Sequence, residues 1–261
     1  MKEFHLDSKI VWRRNAAHNI SDVFYPSFCK DINKKESFFI DNFEVEFVDA
    51  DIDKLNNLFM PLYLEEIGSR KDFSLDKNSI GNELAQKIET NNYYKFMFIY
   101  YQGAVVATAL FSLKNDGLYV GYRAWKKDLD SALNHKATVS YWGEKLIFNY
   151  GKELGVKFFS YGKDSNPYLG RAKIGLPLYK IKTGMRPKKP EATTPFTTDP
   201  YAEAFFTKQK EPSLFFSDSD ALGFYKTCTL YYPCGSLSDS FIKEFEKVFL
   251  WAELSLKSIS Y

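Results

Sequence analysis

Between residues 93 and 125 the order of apolar and polar positions is the plainest in the chain. Tyr93–Gln102 (YYKFMFIYYQ) reads as a strand, Gln102-Gly103 as a turn, and Ala104–Lys114 (AVVATALFSLK) as a second strand. Asn115–Gly117 (NDG) is a strong hairpin signal, because these residues accept the left-handed backbone of a tight turn. Leu118–Trp125 (LYVGYRAW) returns as a third strand, so the stretch predicts an antiparallel meander.

The flanking patterns extend it. Asn42–Ala50 alternates apolar with polar and predicts a strand. Asp51 or Asp53 then stands where a cap is needed for a helix carrying Leu55, Leu58, Phe59, Leu62 and Leu64. Pro61 should kink or split that helix, since its ring removes a donor and crowds the preceding turn. A short helix is expected over Gly81–Glu89. Beyond a polar bridge, residues 137–155 predict a helix with Val139, Trp142, Leu146, Ile147, Tyr150 and Leu154 on its apolar stripe and Gly155 at its C-terminal cap. VKFFSYG (156–162) and PLYKIKTG (177–184) predict two further strands around a polar interruption. Residues 1–40 mix aromatic patches with polar ones and yield no clear element. After Gly184 a Pro-, Thr- and Lys-rich loop precedes strands in PSLFFSDSD and TCTLYYPCG. A closing helix is expected over 238–259, with Ile242, Phe245, Val248, Phe249, Ala252 and Leu256 as its buried stripe.

The order strand, helix, helix, meander, helix, strand predicts an α+β fold with a central, mostly antiparallel sheet flanked by helices. The expected organisation is an N-terminal extension (1–40), a core (41–184) and a C-terminal part (185–261) that completes or extends the same domain. No repeat occurs at solenoid periods. With 261 residues the chain is long enough to bury a sizeable core, and 24 Phe and 18 Tyr make that core aromatic. A formal net charge of +2 argues against bulk nucleic-acid affinity. Cys29, Cys228 and Cys234 form an odd set without ligand spacing, which speaks against a disulfide framework or a metal site and predicts buried or half-buried free thiols. The N-terminus lacks the long apolar run of a signal peptide, and no stretch reaches the length of a membrane span, so a cytoplasmic protein that avoids membranes is expected.

Gly155 closing a helix, Gly162 ending a strand, and the aromatic-Lys pair Tyr179-Lys180 followed by Gly184 carry a resemblance. From about Val45 to Gly184 the chain resembles the GNAT acyltransferases and, more narrowly, their FemAB-like and CelD-like branch. The resemblance implies transfer of an acyl group from a thioester, acetyl-CoA or another acyl-CoA, to the amine of a small molecule or amino sugar, with no metal. It also implies that a backbone N–H near Gly121 to Arg123 meets the acyl carbonyl, at a splay between the third meander strand and the strand that follows the helix. One departure concerns the donor. The segment that carries spaced glycines for the coenzyme A pyrophosphate in most GNATs has no glycine here until Gly143. Lys126, Lys127, His135 and Lys136 are left to meet phosphates by charge, and Gly121, Arg123, Lys126 and Lys127 form the donor-binding set.

Acyl transfer to an amine needs the amine deprotonated, donors for the carbonyl oxyanion and a proton for the leaving group. Asp164, expected just past a strand end, is the candidate base or ammonium anchor; the competing reading is an Asx-turn. Tyr161 and Tyr122 are candidate general acids, against a packing role. Lys180 is a candidate for a substrate anion or developing oxyanion, and Arg171 and Lys173 form a small cationic cluster on the substrate side. Two other functions stay open. In some FemAB-like enzymes aminoacyl-tRNA is the donor, which would bring tRNA in as a partner, and a non-catalytic binding module could keep the fold without the reaction.

Overall fold

The structure, a computed structural model, describes residues 3–4, 9–68, 76–132, 139–165, 168–169, 171–191, 201–202, 210–249 and 252–259. The chain divides into two compact units. One comprises Asn15–Asp22 and Pro26–Ser160; the other comprises Met1–Arg14, Val23–Tyr25 and Tyr161–Tyr261.

Strand β1 (Lys9–Asn15) and helix α1 (Pro26–Asn42) occupy the region whose sequence pattern was unreadable. In the first unit, β2 (Phe43–Asp49) is followed by a helical run of three pieces: α2 (Ile52–Lys54), a π-helical turn (Leu55–Phe59) and α3 (Met60–Glu66). Asp51 is the cap; its carboxylate accepts the Lys54 amide at 2.7 Å. Pro61 falls in the first turn of α3, where the missing N–H does least harm, and the π turn just before it absorbs the break. Helix α4 (Lys77–Thr90) is longer than expected at both ends.

The meander is β3 (Tyr94–Tyr101), β4 (Ala104–Lys114) and β5 (Gly117–Trp125). Positive φ at Gln102 and Gly103, and again at Asn115 and Asp116, gives each hairpin a two-residue turn, so Gly117 pairs with Lys114 as the first residue of β5. Helix α5 (Lys127–Ala132) and helix α6 (Val139–Glu153) follow, with Gly155 in the left-handed region just beyond α6. Strand β6 (Phe158–Ser165) runs on past Gly162, so Asp164 lies within the strand rather than in a turn after it.

Strand order in this unit is β2-β3-β4-β5-β6. The first three pairings are antiparallel and β5–β6 is parallel, so the sheet is mixed. Both faces are covered, as the unbroken apolar run of β3 requires. Phe96 and Phe98 join Leu55, Phe59 and Leu84 in one core. On the other face Met97 and Ile99 come within 3.6 Å of where a side chain on Gly143 of α6 would begin. Phe39 of α1 stacks on Trp142 at 4.8 Å. Val139, Trp142 and Ile147 of the expected α6 stripe are buried, but Phe148 is buried with them and Leu154 is exposed.

In the second unit β6 (from Tyr161), β1 and β8 (Arg186–Lys188) lie side by side, β8 antiparallel to β1. A short strand β7 (Tyr168–Leu169) leads into α7 (Arg171–Lys182). This helix replaces the strand expected over 177–184. Gly175 and Pro177 hide the helical pattern, yet neither stops the helix, which ends at Lys182 with Gly184 in the left-handed region just beyond it. Strands β9 (Ser213–Ser219) and β10 (Tyr225–Pro233) pair as a hairpin, and β7 joins the free side of β9. The expected closing helix is only half right. Helix α8 (Asp239–Val248) ends near Phe249, and β11 (Glu253–Ile259) returns parallel to β10. Phe245, Val248 and Phe249 are buried as expected, whereas Leu256 sits on a strand. Cys29 is half-buried and Cys228 buried, but Cys234 is exposed, contrary to expectation. Among the described residues no helix is long and apolar enough to cross a membrane.

Candidate functional site

In the second unit three elements converge on one carboxylate. Asp164 Oδ2 accepts from Lys180 Nζ at 2.6 Å, from the Tyr168 hydroxyl at 2.7 Å and from the Trp12 indole N–H at 2.8 Å. The indole N–H also lies 3.0 Å from the Tyr168 oxygen, so it is shared between the two acceptors. Lys180 Nζ donates a second bond to the Tyr161 carbonyl at 3.1 Å and stands 5.5 Å from the Trp12 ring centre. The Lys180 side chain is 5% exposed and that of Asp164 16%. This is a nearly dry ion pair whose remaining hydrogen-bonding capacity is largely met, the condition under which such a pair holds a unique geometry.

The local sequence explains the arrangement. Positive φ at Gly162 interrupts the regular backbone of β6 between Tyr161 and Asp164. Lys180 lies in the last turn of α7, two residues before the helix end. Arg14 donates to the Thr183 carbonyl at 2.6 Å, a cation at the negative end of that helix, and its guanidinium covers the Phe24 and Tyr161 rings at 5.2 and 5.6 Å. Burial, then the Asp164 charge, pushes the Tyr168 phenol far above its ordinary value. It is therefore a fixed hydrogen-bond donor and no base.

Asp164, Lys180 and the Tyr161 backbone are thus brought together, although the Tyr161 ring is itself buried in packing. Arg171 and Lys173 open α7, and their side chains lie outside the described residues. Trp12 and Tyr168 escaped the sequence reading. A lone Trp in KIVWRRN carries no motif, and Tyr168 was one tyrosine among 18.

The other candidates lie in the first unit, on or after β5. Leu110 pairs with Tyr122 and Phe111 with Val120, so Gly121 is an extra residue, a β-bulge in the middle of β5. Gly121 is exposed, and a side chain there would meet nothing closer than the Leu110 carbonyl at 3.7 Å. The parallel β5–β6 register spans three pairs, Gly117–Tyr119 with Phe158–Ser160, while β5 continues to Trp125. Tyr122 packs edge-on against Tyr63 of α3 at 5.9 Å, and burial raises its phenol above the ordinary value, which keeps it protonated. Arg123 pairs with the fully buried Glu144 of α6. Lys127 approaches Glu66 at 3.9 Å, and the Lys126 amide is held by the Val106 carbonyl at 2.8 Å. His135 and Lys136 lie outside the described residues. Among the described residues no group of three His, Cys, Asp or Glu side chains is placed to hold a metal.

No family model matches this sequence, and no curated protein matches it. Solved structures do. The structure of FemX superposes with a TM-score of 0.54 at 12% identity, over 72% of this chain and 61% of FemX. The chain has the fold of FemX. It spans about three fifths of the length of that protein. Two more distant matches are L-PGS from Bacillus licheniformis (TM-score 0.39, 14% identity, 60% of this chain and 45% of that one) and the PaiA N-acetyltransferase from Thermoplasma acidophilum in complex with coenzyme A (TM-score 0.35, 12% identity, 70% and 96%). The fold shared with FemX agrees with the GNAT-like fold that the sequence suggested.

Proposed function

We propose that the protein is an N-acyltransferase that moves an acyl group from an acyl-CoA thioester to the amine of a small molecule. The observation that carries the reading is the bulge at Gly121. It breaks the β5 ladder at the position where the GNAT resemblance requires a backbone N–H for the acyl carbonyl, in a chain with the FemX fold. A preorganised N–H aimed at a developing oxyanion lowers the barrier without moving during the reaction. Tyr122, held protonated by its burial, is the proton source for the departing thiolate, and Lys127 is a cation at the end of β5 for the donor's phosphates. Asp164 and Lys180 act as a positioning pair that fixes Tyr161–Asp164 of β6 against α7.

A second reading, aminoacyl transfer from tRNA as in some FemAB-like enzymes, is favoured by the likeness to FemX. Thermal shift separates the two, since a ligand that binds the folded state raises its melting temperature. A rise with acetyl-CoA or longer acyl-CoAs is expected. A rise with aminoacyl-tRNA alone would move the donor to the second reading, and no rise with either would overturn acyl transfer. Replacing Gly121 by Pro, which deletes the N–H, should lower turnover by about 100-fold. Gly121→Ala, which keeps it, should stay near wild type. Equal turnover in the two variants would remove the N–H from the mechanism.

A further inference from the structure

The first unit contains a cavity of about 300 Å³ that none of the chemistry above uses. Two irregularities shape it. On one side the π-helical turn supplies Asn57 and Leu58 to its lining. On the other, Tyr100 pairs with Val105 while Ile99 pairs with Ala107, so Val106 is an extra residue and β4 bulges beside the Gln102-Gly103 turn. Bulges of both kinds recur where a backbone has been reshaped around a ligand. Leu58, Leu62 and Val105 supply an apolar wall.

The charges on its rim decide what it would hold. Glu65 and Lys126 both line the cavity, and among the described residues neither forms an ion pair. Their immediate neighbours behave differently, since Glu66 and Lys127 approach each other at 3.9 Å. One concave surface therefore presents an anion and a cation that do not neutralise each other. A ligand carrying one charge would satisfy one of them and face its own sign at the other; a zwitterion satisfies both. Glu46, which accepts the Tyr100 hydroxyl at 3.1 Å, and Asp53, which accepts from Asn57 at 2.8 Å, add negative potential suited to an ammonium.

We propose that this cavity binds a free α-amino acid with an apolar side chain, its carboxylate on Lys126, its ammonium on Glu65 and its side chain against Leu58, Leu62 and Val105. The volume is that of a small-ligand pocket. Lys126 lies just past the end of β5, five residues from Gly121, and the proposal does not depend on the acyl-transfer reading. It assigns Lys126 to this ligand rather than to donor phosphates.

Titration of the full chain with L-leucine, followed by methyl NMR, tests the proposal. The Leu58, Leu62 and Val105 methyl signals should shift and saturate. Leucinamide, which lacks the carboxylate, and 4-methylpentanoate, which lacks the amine, should bind at least about fivefold more weakly. Glu65→Gln and Lys126→Met are surface changes that should fold normally and should each weaken leucine by about the same factor. Methyl signals unmoved by leucine and phenylalanine up to their solubility, analogues that bind as well as leucine, or variants with unaltered affinity would each overturn it.

Discussion

Lys180 and Asp164 are worth more together than apart. Removing the carboxylate alone leaves an ammonium in a nearly dry site, and losses of this kind run to about 3 kcal/mol. Asp164→Asn should therefore lower the unfolding free energy by about that much in urea titration. Asp164→Asn combined with Lys180→Met, which removes both charges, should recover most of the loss. A double variant no more stable than Asp164→Asn would mean that the pair is not the unit that matters. The two residues were visible in the sequence through a motif, the aromatic-Lys pair and the Gly before Asp164. Their partners were not. Trp12 lies 152 residues from Asp164 and Tyr168 is separated from Trp12 by 156, so only the fold makes them neighbours.

At the scale of elements, what could be read depended on how local the signal was. The meander was legible because its two turns announce themselves, Gln-Gly and Asn-Asp, and because a long apolar run fills the strand between them. Helix α7 was read as a strand because Gly175 and Pro177 erase its periodicity. The end of the chain was read as helix because the spacing of Phe245, Phe249, Ala252 and Leu256 stays helical beyond the point where α8 stops. Strand β1 left no pattern at all, since Ile10, Val11 and Trp12 are buried in succession. The helical state of α7 has a direct test. Gly175 is exposed, its φ is not positive and a methyl group there would meet nothing within 4 Å. In a helix Gly175→Ala should stabilise by about 1 kcal/mol, seen in calorimetry as a rise of roughly 2–4 °C. A strand at this position would give no such gain.

For the molecule as a whole, aromatic burial sets the alkaline limit of stability. Burial raises the phenols of Tyr94, Tyr100, Tyr122 and Tyr168 and the thiol of Cys228 above their ordinary values. The unfolded chain releases these protons first, so it binds fewer protons than the folded chain once the pH exceeds the ordinary values of 9.0 for the thiol and 10.0 for the phenols. These contributions are complete below that window and are lost as pH rises through it, the buried Tyr168 and Cys228 each adding up to about 1.4 kcal/mol per pH unit to the slope and the more exposed Tyr94, Tyr100 and Tyr122 less. Unfolding free energy measured from pH 8 to 11 should fall above pH 9, and Tyr168→Phe should remove one proton's worth of slope above pH 10. A flat profile would mean that these groups ionise as readily in the folded chain as in the unfolded one.

The unit that holds Asp164 is discontinuous: Met1–Arg14 belong with Tyr161–Tyr261, and β1 lies beside strands that begin some 150 residues later. On the ribosome this separates the order of synthesis from the order of folding. The residues around Trp12 are made before their partners and have nothing to pair with until β6 and β8 have emerged, and closing so long a loop delays their docking further. The unit built on the meander has its own strands and core and is free to form meanwhile. Strand β1 thus leaves the ribosome well before the strands it pairs with and is among the last to find its place.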